Sequence, residues 1–193
     1  TAISFDRSLE LAKSKGVNLV VKPVLPMVMR GVPLTQEKGF YVFTDAAREA
    51  NALGSNFGKF YDPIGEPVRQ CFSLYPWACD QGKGNELISS FLRCAFAEGI
   101  NTNNTAGLKA VVERAGLDWS LAKNNLGNED WQHILELNRR DMYAAGLWGV
   151  PSYRLIDKDG TSLLRSWGQD RLWILARTIE LSLASRLDDG GGW

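Results

Sequence analysis

A chain of 193 residues, 45% of them hydrophobic, is long enough to bury the core of one domain, and no apolar run in it is long enough to span a membrane. Lysine plus arginine and aspartate plus glutamate number 22 each, so the global charge favours neither nucleic acid nor an anionic membrane surface. The three cysteines, Cys71, Cys79 and Cys94, make no Cys-x-x-Cys pair and no zinc-type spacing; no metal and a reducing, cytoplasmic compartment are the expectations.

From the start of the chain, Phe5, Ser8, Leu9 and Ala12 repeat at helical spacing, and Lys15-Gly16 ends that helix. Val17–Val21 is expected to be a buried strand, stopped by Pro23 and Pro26. A helix followed by a parallel strand is half of a βαβ unit, whose first strand normally lies beside the second. An additional strand of about five or six residues is therefore expected upstream of Thr1, the first strand being missing here.

The middle, from about Pro33 to Gly146, reads as helical. Gln36–Leu53 carries Phe40, Phe43, Ala47 and Ala50 at helical spacing. Helices over Glu66–Tyr75, Asn85–Glu98, Thr105–Ala115, Asp118–Lys123 and Glu129–Ala145 follow, separated by Pro-, Gly- and Asn-rich joints. No repeat or low-complexity linker divides them. Beyond this block the alternation predicts a hairpin pairing Ser152–Ile156 with Ser162–Trp167 around Asp157-Lys158-Asp159-Gly160. After Gly168 an amphipathic helix places Leu172, Leu175, Ala176, Ile179 and Leu183 on one face, and residues 188–193 read as a tail.

The most informative stretch is Gly146-Leu147-Trp148-Gly149-Val150-Pro151-Ser152-Tyr153, together with Trp167-Gly168-Gln169-Asp170-Arg171. Proline donates no ladder hydrogen bond and biases the preceding residue toward extended geometry, so Val150-Pro151 reads as a shaped loop ahead of a strand. Two forms suit it: a cis bond that exposes the Val150 backbone, which costs an X-Pro step only about 0.5–1 kcal/mol, or a trans proline that starts an edge strand.

A proline loop, a hairpin and a closing helix make a thioredoxin-like ending. More narrowly, Gly-Val-Pro followed by Trp-Gly-Gln-Asp-Arg resembles the DsbA-like branch that contains 2-hydroxychromene-2-carboxylate isomerases and kappa-class glutathione transferases. The resemblance implies an α/β, thioredoxin-like fold with a large helical insertion. The thioredoxin-like domain would comprise residues 1–32 and 147–187, and the insertion residues 33–146. It also implies a cis Pro151 and glutathione as the cofactor. The tripeptide's backbone would pair with Val150, and its γ-glutamyl end would lie near Gln169 and Asp170. An ordinary first-turn helix charge, contributing about 0.3–1 kcal/mol, explains Asp170 equally well. Lys38 resembles the lysine that family members place early in the first inserted helix, near the glutathione carboxylate; a solvated lysine is the alternative.

Thr1-Ala2-Ile3-Ser4-Phe5-Asp6-Arg7 resembles the continuation of the family's Ser-Pro-Tyr segment, with Thr1 in the place of a second cysteine. The catalytic serine is thus expected upstream of Thr1, and a dithiol at this site is excluded. The activity implied is a glutathione-dependent isomerase or transferase acting on a small aromatic or electrophilic molecule, with a homodimer as the implied assembly and no nucleic-acid or membrane partner. The alternatives are a DsbA-type thiol-disulfide oxidoreductase homologue without Cys-x-x-Cys, or a non-catalytic module that binds extended peptides. Other motifs are weaker. His133 reads as a solvated helical residue, Asp157–Gly160 as a hairpin turn, Asn104 as a helix cap and Cys94 as packing.

Overall fold

The computed structural model describes residues 1–189, with side chains to residue 185. It divides into two compact units. One comprises Thr1, Ile3–Val20 and the chain from Arg139 onward; the other comprises Ala2 and Val21–Asn138. Compared with the division expected from the sequence, residues 139–146 fall in the first unit, and residues 21–32 belong with the helices. The reason is packing: Leu25 and Met29, on either side of the start of the short 3-10 turn Met27–Arg30, lie against the helical core.

The helical unit contains α2 (Gln36–Ala52), α3 (Glu66–Asp80), α4 (Gly84–Phe96), α5 (Thr105–Arg114), the single turn α6 (Trp119–Ala122) and the first part of α7 (Asp130–Ala144). Its core follows from spacing. Val68, Cys71, Leu74 and Ala78 repeat along α3, Leu87, Phe91, Cys94 and Ala95 along α4, and Leu108, Val111 and Val112 along α5. Leu74, Leu87, Val111 and Val112 are completely sealed from solvent, and each such side chain contributes about 1.5–3 kcal/mol by burial. Ser90, also buried, donates its Oγ–H to the Val111 carbonyl at 2.8 Å, which fixes the register of α4 against α5. Asn104 caps α5 by accepting from the Gly107 N–H at 2.8 Å, as expected, and Asp118 caps α6 through Leu121 N–H at 3.0 Å.

Two helices depart from their expected form. α3 does not stop before Pro76 but runs through it to Asp80. Proline inside a helix costs roughly 3 kcal/mol, and the burial of Leu74, Ala78 and the partly buried Trp77 against the core offsets it. On α2, Ala50 is buried and Phe43 joins the ring cluster of Phe57, Phe60 and Phe96, with centroids 5.4 Å from Phe57 and 5.1 Å from Phe60. Phe40, expected on that face, is 66% exposed.

The other unit carries α1 (Phe5–Lys15), β1 (Ser152–Ile156), β2 (Ser162–Trp167), a 3-10 turn over Gln169–Arg171 and α8 (Leu172–Asp189). Residues 190–193 of the expected tail lie outside the described residues, while Asp188 and Asp189 fall within α8. β1 and β2 pair antiparallel, with Ser152 opposite Trp167 and Leu155 opposite Leu164. α8 turns the buried Leu172 and Ile179 inward. Gly16 ends α1 in the left-handed conformation at φ 62° and donates back to the Lys13 carbonyl. Ser8 Oγ and Tyr153 OH meet at 3.2 Å, joining α1 to β1. Lys15 Nζ lies 2.6 Å from Glu180 Oε1, joining α1 to α8, and the lysine's hydrogen bond holds that carboxyl below its usual range.

The expected buried strand at Val17–Val21 is not formed. These residues are alternately covered and exposed, with Val20 65% exposed, but they belong to no sheet; β1 and β2 form the two-stranded sheet among the described residues. A ladder needs its neighbour about 4.8 Å away. Here residues of this segment and of β1, Val17, Leu19, Tyr153 and Leu155 among them, line one groove, and no backbone hydrogen bond joins the two segments among the described residues.

Two glycines test the packing. A Cβ on Gly107 would overlap the Asn101 carbonyl, whereas on Gly39, inside α2, it would meet only Leu34 Cδ2 at 3.7 Å. Gly107→Ala is expected to lower stability by about 1–3 kcal/mol, and Gly39→Ala to raise it by about 0.5–1 kcal/mol. Urea unfolding midpoints of the two variants check both signs.

Candidate functional site

The candidate site is the corner where β1 begins and β2 ends. α7 stops at Ala144, and the backbone N–H groups of Gly146 and Leu147 donate back to the Tyr143 and Met142 carbonyls at 2.8 and 3.0 Å. This cap turns the chain into Trp148-Gly149-Val150-Pro151. The Val150–Pro151 peptide bond is cis. Ser152 donates its Oγ–H to the Gly149 carbonyl at 2.6 Å, closing the loop on itself. Val150 is 39% exposed, and its backbone makes no backbone–backbone hydrogen bond among the described residues.

The second half of the corner follows β2. Gly168 N–H donates to the Pro151 carbonyl at 3.0 Å, so the turn Gln169–Arg171 is tied directly to the proline loop. Asp170 folds back toward Gly168, where a Cβ would stand 2.5 Å from Asp170 Oδ1. The Asp170 carboxylate is about half exposed and pairs with Arg171 at 2.9 Å. Gln169 is partly covered, with its side-chain oxygen buried. Val150, Pro151, Gln169 and Asp170 are thus brought to one place. Lys38 belongs to the other unit, on the first turn of α2, where its N–H donates to the Thr35 Oγ1 cap at 3.3 Å.

Two residues that lie inside the quoted motifs, but to which the sequence assigned no role, complete this corner. The rings of Trp148 and Trp167 lie 4.7 Å apart at 39°, and they are 45% and 48% exposed. The buried Gly149 fits under the Trp167 edge, since a Cβ there would be 2.5 Å from Trp167 Nε1. The hairpin register carried the missing signal: Ser152 opposite Trp167 puts the end of β2 beside the loop that precedes β1.

The thiols show a different chemistry from a dithiol site. Cys71 and Cys94 are buried in the helical core and Cys79 is exposed near the C-terminal end of α3. Desolvation pushes the Cys71 thiol far up, aided by the neighbouring Cys94, and also raises Cys79 and Cys94. A nucleophilic or redox cysteine needs a lowered pKa, and none of these three has one. His133 is exposed, as read from the sequence. Among the described residues there is no cluster of side chains able to hold a metal, and no helix is long and apolar enough to cross a membrane.

A thioredoxin-type hairpin and closing helix, a cis-proline loop and a helical unit inserted between α1 and that hairpin define a class of protein. The model of the DSBA-like thioredoxin domain matches residues 5–180, and the chain belongs to that family. The fold is similar to the solved structure of a 2-hydroxychromene-2-carboxylate isomerase, with a TM-score of 0.75 over 97% of this chain and 94% of the other, at 18% identity. No curated protein sequence matches the chain. The family and fold expected from Gly-Val-Pro and Trp-Gly-Gln-Asp-Arg are therefore the ones found.

Two measurements check this geometry. Native protein treated with Ellman's reagent at pH 8 is expected to titrate slowly and at Cys79 alone, with Cys71 and Cys94 reacting only after unfolding. Gly149→Ala is expected to displace the Trp167 indole and weaken the far-UV exciton signal of the tryptophan pair, with the helical core's unfolding midpoint little changed.

Proposed function

We propose that this protein binds glutathione along the Val150–Pro151 loop and uses it to isomerise, or to add the thiol to, a small aromatic or electrophilic molecule. The observation that carries the reading is the Gly168–Pro151 hydrogen bond, because it sets an exposed, laddering-competent backbone next to a half-exposed carboxylate. Those two groups fit the two ends of the tripeptide. The Val150 N–H and C=O can pair with its cysteinyl backbone as an added strand pairs with a sheet edge. The Asp170 carboxylate can accept from the γ-glutamyl ammonium, sharing it with Arg171. N–H groups at the start of the Gln169–Arg171 turn and of α8 suit the adjacent carboxylate.

When bound, glutathione supplies a soft thiol nucleophile. The protein's part is to hold its backbone in register on Val150 and its charged end on Asp170, which converts an encounter between two solutes into an oriented one. Burial of Cys71 and Cys94, the upward shift of all three thiols and the lack of a Cys-x-x-Cys pair disfavour the oxidoreductase reading.

Thermal unfolding with reduced glutathione tests the proposal. At a ligand concentration about a hundredfold above its dissociation constant, linkage gives roughly 2.7 kcal/mol of stabilisation. Wild type is expected to show that shift, and Asp170→Ala to lose most of it while unfolding at the same temperature without ligand. Absence of any shift in wild type overturns the proposal, and equal shifts in the two proteins reduce Asp170 to a helix-end charge.

A further inference from the structure

The first half of α2 carries Phe40-Tyr41-Val42-Phe43, four apolar residues in succession whose side chains point around most of the helix circumference. A helix apolar on all sides is ordinarily buried. Here Phe43 turns toward the ring cluster, but Phe40, Tyr41 and Val42 are half to two-thirds exposed. Leu34, which lies against Gly39, and Phe60, whose ring meets that of Phe43, are about two-fifths exposed and continue the same surface. So much apolar area in water calls for a cover.

Area and charge decide what provides it. Leu34, Phe40, Tyr41, Val42, Phe43 and Phe60 together leave on the order of 600 Å² of apolar surface in solvent, the upper end for a monomer's largest patch. One side of a standard interface is about 800 Å², roughly 65% of it apolar in homodimers, and this surface supplies that share. Away from the buried Ala50 stand Glu37, Tyr41, Thr44 and Arg48, all exposed and spaced along one line of the helix. Their order is self-complementary. A two-fold axis between Tyr41 and Thr44 lays two such helices antiparallel, with Glu37 of each copy against Arg48 of the other and Tyr41 against Thr44 between them; a parallel pair sets like charges together. The contact of Arg48 with Asp45, at 3.8 Å and exposed, contributes little and can be exchanged for a partner's carboxylate. Equal numbers of acidic and basic residues leave no net repulsion between copies. An anionic lipid surface would meet Glu37 and Asp45 as readily as Lys38 and Arg48, so charge does not favour it. We infer that the first half of α2 is the contact face of a symmetric homodimer in which α2 lies antiparallel on α2.

Sedimentation velocity on the full chain tests this. Wild type is expected to sediment at twice the chain mass at micromolar concentration. Tyr41→Glu is expected to sediment as the monomer with an unchanged far-UV spectrum, because the side chain it replaces is exposed. Glu37→Arg and Arg48→Glu, made singly, are expected to raise the dimer dissociation constant about tenfold by setting like charges together. The double exchange Glu37→Arg/Arg48→Glu is expected to restore it. That restoration reports the antiparallel register itself, and it decides the matter even where Tyr41→Glu fails to fold. A wild type that stays monomeric into the submillimolar range overturns the dimer, including the case in which it binds phosphatidylcholine vesicles or an unrelated protein through Tyr41. A dimer untouched by Tyr41→Glu places the contact elsewhere, and a double exchange that weakens association as much as the two single changes combined rules out the antiparallel pairing.

Discussion

One backbone hydrogen bond, Gly168 N–H to the Pro151 carbonyl at 3.0 Å, holds the candidate site together. Its own contribution is about 0.5–1.5 kcal/mol, but its geometric effect is larger. The strand pair ends at Ser152 and Trp167, and this bond extends the closure one step beyond the ladder. The loop before β1 and the turn after β2 are thereby forced into one corner. The exposed Val150 backbone, the Asp170 carboxylate and the two indoles owe their proximity to that closure, although they come from segments separated by the whole hairpin.

The site's polar chemistry is simple. Asp170 is already ion-paired with Arg171, and both side chains remain about half exposed. A pair in that setting contributes little to folding, so its carboxylate can turn to another cation at small cost. Burial has the opposite effect on the thiols. Removing Cys71 and Cys94 from water favours their neutral forms, which makes them packing residues of the helical core.

What could be read from the sequence was whatever depends on near neighbours. The hairpin was legible to the residue because alternation and the Asp157–Gly160 turn are local signals, and Asn104 declared itself as a cap for the same reason. Pro76 misled because the burial that keeps α3 intact around it comes from α4 and α5. Val17–Val21 has strand composition, yet a strand is made by its partner, and a groove lies where the neighbour would be. Gln169, Asp170, Val150 and Pro151 were found together because the family motif spans them. Trp148 and Trp167 stand in the same stretch yet drew no role, because only the hairpin register makes them neighbours.

The helical core cluster is built wholly from residues between Val68 and Ala122, and none of the loop or turn residues belongs to it. Most large losses of stability come from cavities, buried polar groups or disrupted networks, and Trp148, Val150 and Asp170 are involved in none of these within the core. Selection can therefore rework the candidate corner while the reservoir of folding stability stays elsewhere. Such a layout favours functional drift: related chains can diverge in what they process long before they diverge in how they fold.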